Sequence, residues 1–162
     1  MPSGNYNRSV NKRQGSYVLV LFLARPARLI VGRKGEIFFP PGYYLYVGSA
    51  LSGLRQRIGR HLRKQKKLRW HIDYLLQEAE AVEVWYQLGV ERWECRWAEV
   101  AATLPQAHPV TGFGAADCSC PSHLTHFPDA PSFELFRGRL GEEGKTIERA
   151  AAGTFSRVST VA

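Results

Sequence analysis

The chain has no apolar run long enough to cross a bilayer: its longest, residues 17–24, is eight residues, against the ~18 or more that a span requires. No apolar h-region follows Met1, so the expectation is a cytoplasmic protein with no membrane partner. Cysteine is scarce, at three. That odd count, with Cys118 and Cys120 separated by a single residue, argues against a secreted disulfide framework and for reduced thiols. At 162 residues and 44% apolar composition there is material for one core and not for two independent ones. No internal repeat is present.

Acidic residues are missing from one stretch in particular. Twenty-two Lys and Arg stand against fourteen Asp and Glu, a formal charge of +8. Arg55, Arg57, Arg60, Arg63, Lys64, Lys66, Lys67 and Arg69 form a window of eight cations with no carboxylate, so the rest of the chain balances at fourteen of each sign. Like charges without i,i+4 partners weaken their own helix, a cost that a polyanion removes. Arg55, Arg60, Arg63, Lys64, Lys66, Lys67 and Arg69 are therefore read as nucleic-acid-binding residues contacting phosphate, with DNA the expected partner and RNA left open. A solvated helix face is the plainer alternative.

Residues 1–14 have almost nothing to bury and read as a mobile basic arm. Residues 16–23 are a continuous β-branched and aromatic run, the pattern of a central strand. Apolar stretches at 28–31, 36–39 and 43–47, separated by Gly and Pro turns, predict an antiparallel meander. The period then switches. Leu51, Leu54, Ile58 and Leu62 form one helical stripe with Ser52 as a candidate N-cap and the arginines opposite. A second helix is expected over 70–78, a strand over 81–88 with Val82, Val84 and Tyr86 on one side, and a helix over 91–104. Residues 105–127 read as an ordered loop ending in an edge strand, 133–140 as a short helix, and the rest of 128–162 as a partly disordered tail. The class is α/β in the α+β sense, with a small mixed or antiparallel sheet flanked by helices.

Polar side chains fall at the ends of these elements. Tyr17 opens the first strand in Gly15-Ser16-Tyr17, and Tyr46 lies in Tyr46-Val47-Gly48. Arg57 and His61, at i and i+4, share a helix face and can address one anion. Glu94 sits in Trp93-Glu94-Cys95-Arg96-Trp97, beside a buried stripe.

Taken together, and in this order, these elements resemble the GIY-YIG nuclease superfamily over residues 15–104, with Ser16 where an aliphatic residue is usual. The resemblance extends to the subgroup known as a domain of unknown function found alone or fused to endonuclease III-type repair enzymes, on residues 43–50, 69–75 and 112–124. It implies hydrolysis of DNA, branched or damaged, with one Mg²⁺ or Mn²⁺ ion, in repair or processing. In that implied scheme Glu94 holds the metal, Arg57 offsets transition-state charge, Tyr17 takes or relays the proton of the attacking water with His61 in support, and Tyr46 orients phosphate or water. Twenty-eight residues separate the two tyrosines, which implies an added strand or loop between them. Glu99 is a competing carboxylate. A noncatalytic nucleic-acid-binding module on the same scaffold is the alternative function.

Two further groups are candidates for a secondary site. His71 and Asp73 flank Ile72 on the second helix and either extend the site or, as the equal alternative, form a pair that faces solvent. Asp117, Cys118, Cys120 and His123, with His126 nearby, form a C-x-C-x-x-H half-site whose residues are zinc ligands by type. It lacks the paired spacing of a zinc ribbon, so a packed, reduced loop is preferred over structural zinc or a direct part for Asp117 or His123 in the active site.

Overall fold

The computed structural model describes residues 13–115 and 118–156 of the chain. Most of the expected basic arm, Asp117 and the last six residues of the expected tail lie outside the described residues. β1 (Gly15–Leu23) contains little that is polar, and all but one of its residues are buried. A strand buried on both faces needs partners along its whole length. It finds them in β4 (Gly42–Ala50) on one edge and β5 (Glu80–Leu88) on the other, both nine residues long and antiparallel to it.

The expected meander is not what forms. β2 (Ala27–Ile30) and β3 (Glu36–Phe39) pair only with each other, as a separate ribbon joined through a tight turn at Gly32–Lys34, and β1 pairs directly with β4. At four residues each, half-exposed, neither ribbon strand could cover β1. The sheet is extended by β6 (His108–Pro109) and β7 (Leu124–Phe127) beyond β4, and by β8 (Glu148–Ala151) beyond β5, giving the order β6-β7-β4-β1-β5-β8 with antiparallel pairing throughout.

Alternation along β1 sends side chains to two cores. Tyr17, Leu19 and Leu21 pack with Leu54 and Ile58 of α1 (Leu54–Leu62) and Ile72 and Leu75 of α2 (His71–Leu75). Val18 and Val20 pack on the opposite face with Trp97 of α3 (Glu94–Ala101) and Phe133 and Phe136 of α4 (Phe133–Arg139). The mixed α/β sandwich explains why β5 departs from simple alternation. Trp85 is buried in the second core, while Val82, where the register shifts, is exposed.

Other expectations are corrected. Gly53, at φ +130°, precedes α1 without a side-chain cap, so Ser52 does not cap the helix. Residues 63–70 are irregular, α2 is shorter than expected, and 128–155 is no tail: α4 and β8 are followed by a short 3-10 turn, with Ile147, Ala152 and Phe155 buried. A few well-spaced apolar residues suffice to hold this polar segment against the sheet.

Asp73 fastens the irregular segment. Its Oδ1 accepts from Arg60 Nη1 at 2.9 Å, and its Oδ2 accepts from Arg60 Nη2 at 3.1 Å and from the backbone N–H groups of Arg69 and Trp70 at 2.8 and 2.9 Å. Burial alone would raise the carboxyl pKa, but the Arg60 and backbone donors outweigh it and hold the pKa below its ordinary value. Such stability is present above the unfolded pKa of about 3.9 and is lost as pH falls towards the depressed folded value. Asp73→Ala, which strands these donors, is expected to cost about 3 kcal/mol, or roughly 6–12 °C in Tm for a domain of this size. Thermal melts of wild type and variant should differ most near neutral pH and draw together as the pH falls below the ordinary carboxylate range.

Candidate active site

The register of β1 on β4 assembles the site. Tyr17 lies opposite Gly48, and Tyr46 opposite Leu19, so the two tyrosines share one face two positions apart. The Tyr17 ring lies over Gly48, where a Cβ would come within 2.6 Å of its hydroxyl. The glycine is thus a space requirement. The intervening residues form the β2–β3 ribbon and do not separate the pair.

Behind Tyr17 stands His61, brought there by the last turn of α1, with Tyr17 Oη and His61 Nε2 2.7 Å apart. His61 is 2% exposed and does not share an anion with Arg57 in the way helix spacing alone suggested. Its Nδ1 is buried without a partner. A proton there would be an orphaned donor, the rarer and costlier defect, so the proton belongs on Nε2, which donates to Tyr17. Tyr17 then keeps its own O–H free for the cavity. Burial, with Lys66 and Arg57 nearby, lowers the His61 pKa to about 3, so the ring is neutral across the physiological range.

Tyr17, Tyr46, Arg57, His61 and Glu94 line one cavity of about 420 Å³, together with Trp70, His71, Cys118 and His123. Burial raises both phenols, Tyr46 to about 12, while Arg57 pulls each down and Glu94 pushes each up. Arg57 donates to the Ser49 carbonyl at 3.3 Å and lies 4.6 Å from the centre of the Trp70 ring. Glu94 arrives from the other side of the sheet. Trp93 N–H, just before α3, donates to Ser16 Oγ at 3.1 Å, and Trp97 anchors the helix in the second core. The buried Ser16 is therefore a positioning residue, which its place in the tripeptide did not reveal.

The Glu94 side chain is 21% exposed and pairs with Arg92 at 3.3 Å, whereas Glu99 is 73% exposed, pairs with Arg96 and does not line this cavity. A single carboxylate beside room for phosphate and water is a donor set that suits a hard divalent cation such as Mg²⁺. His71 accepts from Gly114 N–H at 3.1 Å through Nδ1, so its neutral ring carries the proton on Nε2.

The basic window divides in two. Arg60 serves Asp73, Lys66 donates to the His61 and Arg60 carbonyls at 2.6 and 3.2 Å, Lys64 reaches the Leu76 carbonyl at 3.2 Å, and Arg55 reaches that of Thr154 at 3.2 Å and lies over Phe155. These four act within the fold. Arg63, Lys67 and Arg69 are exposed and in no ion pair among the described residues, and Arg69 lines the cavity. Cys118, Cys120 and His123 do come together, joined by Cys95 from α3. His126 does not join them, since its Nε2 is 2.9 Å from the Pro41 carbonyl.

Gly48→Ala is expected to leave the sheet folded but drive the Tyr17 ring off His61. Imidazole ¹⁵N NMR should show His61 neutral with a protonated Nε2 from pH 8 to pH 5 in wild type, and a changed Nε2 signal in the variant. His61 titrating near pH 6.5 in wild type would contradict the buried arrangement.

No match was found among the curated proteins or the solved structures. The family model described as domain of unknown function DUF123 does match, over residues 16–141. That span holds every residue that lines the cavity, and the chain belongs to this family.

Proposed function

We propose that the protein is a divalent-metal-dependent endonuclease of the GIY-YIG kind, hydrolysing DNA phosphodiester bonds in repair or processing. The observation that carries this reading is the single cavity shared by Tyr17, Tyr46, Arg57, His61 and Glu94. Glu94 would hold the Mg²⁺ or Mn²⁺ ion, which when bound supplies Lewis acidity towards a phosphate oxygen. Arg57, stacked on Trp70, binds the scissile phosphate and offsets the charge that builds on it. Tyr46 and the protonated Nε2 of His71 are neutral donors that orient phosphate oxygens or the attacking water. Tyr17, as phenolate, accepts the proton of that water, and the His61 Nε2–H bond steadies the phenolate oxygen as it forms. Arg63, Lys67 and Arg69 extend the cationic surface from the cavity along a phosphate backbone.

The test is cleavage of labelled single-stranded, duplex, flap and branched DNA with Mg²⁺ or Mn²⁺, against EDTA. Metal-dependent cleavage is expected, abolished by Glu94→Gln and reduced about 10²–10³-fold by Arg57→Ala. Salt-sensitive binding without cleavage on the whole panel would instead identify a noncatalytic module or an RNA substrate.

Burial raises the Tyr17 pKa above its ordinary value, so only a small fraction is phenolate near neutrality. The single-turnover rate should climb roughly tenfold per pH unit between about pH 6 and pH 9. Tyr17→Phe should lose about 10²–10⁴ in rate, and a flat profile in this range would assign the base elsewhere.

A further inference from the structure

Cys118 and Cys120 are held in a loop that leans on α3, where Cys95 follows directly on Glu94. His123 Nε2 lies 3.3 Å from Cys118 Sγ and 3.9 Å from Cys95 Sγ, and the four donor atoms, with Cys120 Sγ, are all within 4.8 Å of one another. Around a tetrahedral zinc ion with Zn–S arms of about 2.3 Å and a Zn–N arm of about 2.0 Å, S···N edges are about 3.5 Å and S···S edges about 3.8 Å. The two measured S···N separations, 3.3 and 3.9 Å, bracket the first figure, and no pair in the cluster is more than about 1 Å beyond the second.

The loop is built to hold it. Gly112 N–H donates to the Pro121 carbonyl at 2.7 Å, His123 N–H to that of Phe113 at 2.8 Å, and Val47 N–H to that of His123 at 3.0 Å. Ser122 Oγ, itself buried, bonds the backbone of Leu124 on both its N–H and its carbonyl. His123 is thereby fixed against β4, and its ring is buried. The cluster also has access: Cys118 and His123 line the active-site cavity, and Cys95 and Cys120 line a second one of about 530 Å³.

From this geometry we infer a structural zinc site formed by Cys95, Cys118, Cys120 and His123. Four protein donors close the coordination shell, so the ion is not a Lewis acid for substrate. Its work is mechanical. It pins the first turn of α3 to the loop before β7, and in doing so fixes the side from which Glu94 enters the cavity. Three thiolates and an imidazole are a soft set that selects zinc over Mg²⁺, so this site and the carboxylate site do not compete for one ion.

The experiment uses the full chain, purified without chelator, and reads metal by elemental analysis and by Co²⁺ substitution. About one zinc per chain is expected, together with a Co²⁺ spectrum showing thiolate charge transfer and the d–d bands of tetrahedral coordination. Cys95→Ser should weaken zinc binding by more than the roughly 10–100-fold that loss of an outer-shell partner costs, and Glu94→Gln should leave it unchanged. Where Cys95→Ser does not fold, the wild-type stoichiometry and Co²⁺ spectrum decide the matter alone. Bound iron, a Cys95 disulfide in non-reduced mass spectra, or wild-type protein with neither zinc nor a thiolate–Co²⁺ band overturns the inference. Each of these readouts is independent of nuclease activity, so a failed cleavage assay leaves the zinc result standing.

Discussion

The hydroxyl of Tyr17 occupies the space that a side chain at position 48 would fill. This close approach belongs to one register of the two central strands, which burial on both faces enforces, because a slip of a single residue would turn every β1 side chain to the opposite face. Tyr17 would leave His61 and Val18 would enter the site in its place. The glycine at 48, the tyrosine at 17 and the histidine at the end of α1 are therefore one device: a ring with room to lie flat, and a buried donor behind it. Ser16, pointing the other way from the same strand, ties the approach to α3 and so sets where Glu94 arrives.

Charge is organised around the same end of the sheet. Eight cations in fifteen residues would repel one another on an isolated helix. Here Arg60 is neutralised by a fully buried carboxylate, Lys66 and Lys64 sit on free carbonyls, and Arg57 and Arg60 both lie over Trp70, at 4.6 and 4.2 Å from its ring centre. Part of what reads in one dimension as a binding surface is thus also engaged within the fold. Arg63, Lys67 and Arg69 are left exposed and outside any ion pair among the described residues, with Arg69 at the cavity.

The central strand, the two-period pattern after it and the five residues gathered in the cavity were legible because each depends on local spacing or on a motif in chain order. The shortfalls share a different origin. Cys95 and His123 are 28 residues apart, and a side-chain cluster closed by tertiary contact has no spacing rule to betray it. Trp70 looked like a helix residue, and its use as a platform for two guanidinium groups depends on the path of residues 63–70. β8 was missed because Glu148–Ala151 has no strand-like alternation. It is a strand because the edge of β5 offers hydrogen bonds and because Ile147 and Phe155, on either side, find the cores. Likewise the ribbon's four-residue strands have the right composition, but pairing partners are chosen by length and burial on the far side.

β1 is synthesised before every element that covers it. Its first edge can close once β4 is made, with the β2–β3 ribbon folding locally in the microseconds typical of hairpins. Its second edge waits for β5, and the face carrying Val18 and Val20 waits longer still, for α3 and then α4. A growing chain that has paired β1 with β4 alone presents an open, strongly apolar strand edge, the feature that templates mispairing between chains. The order of elements that makes β1 the most protected strand of the finished protein makes it the most exposed one during synthesis.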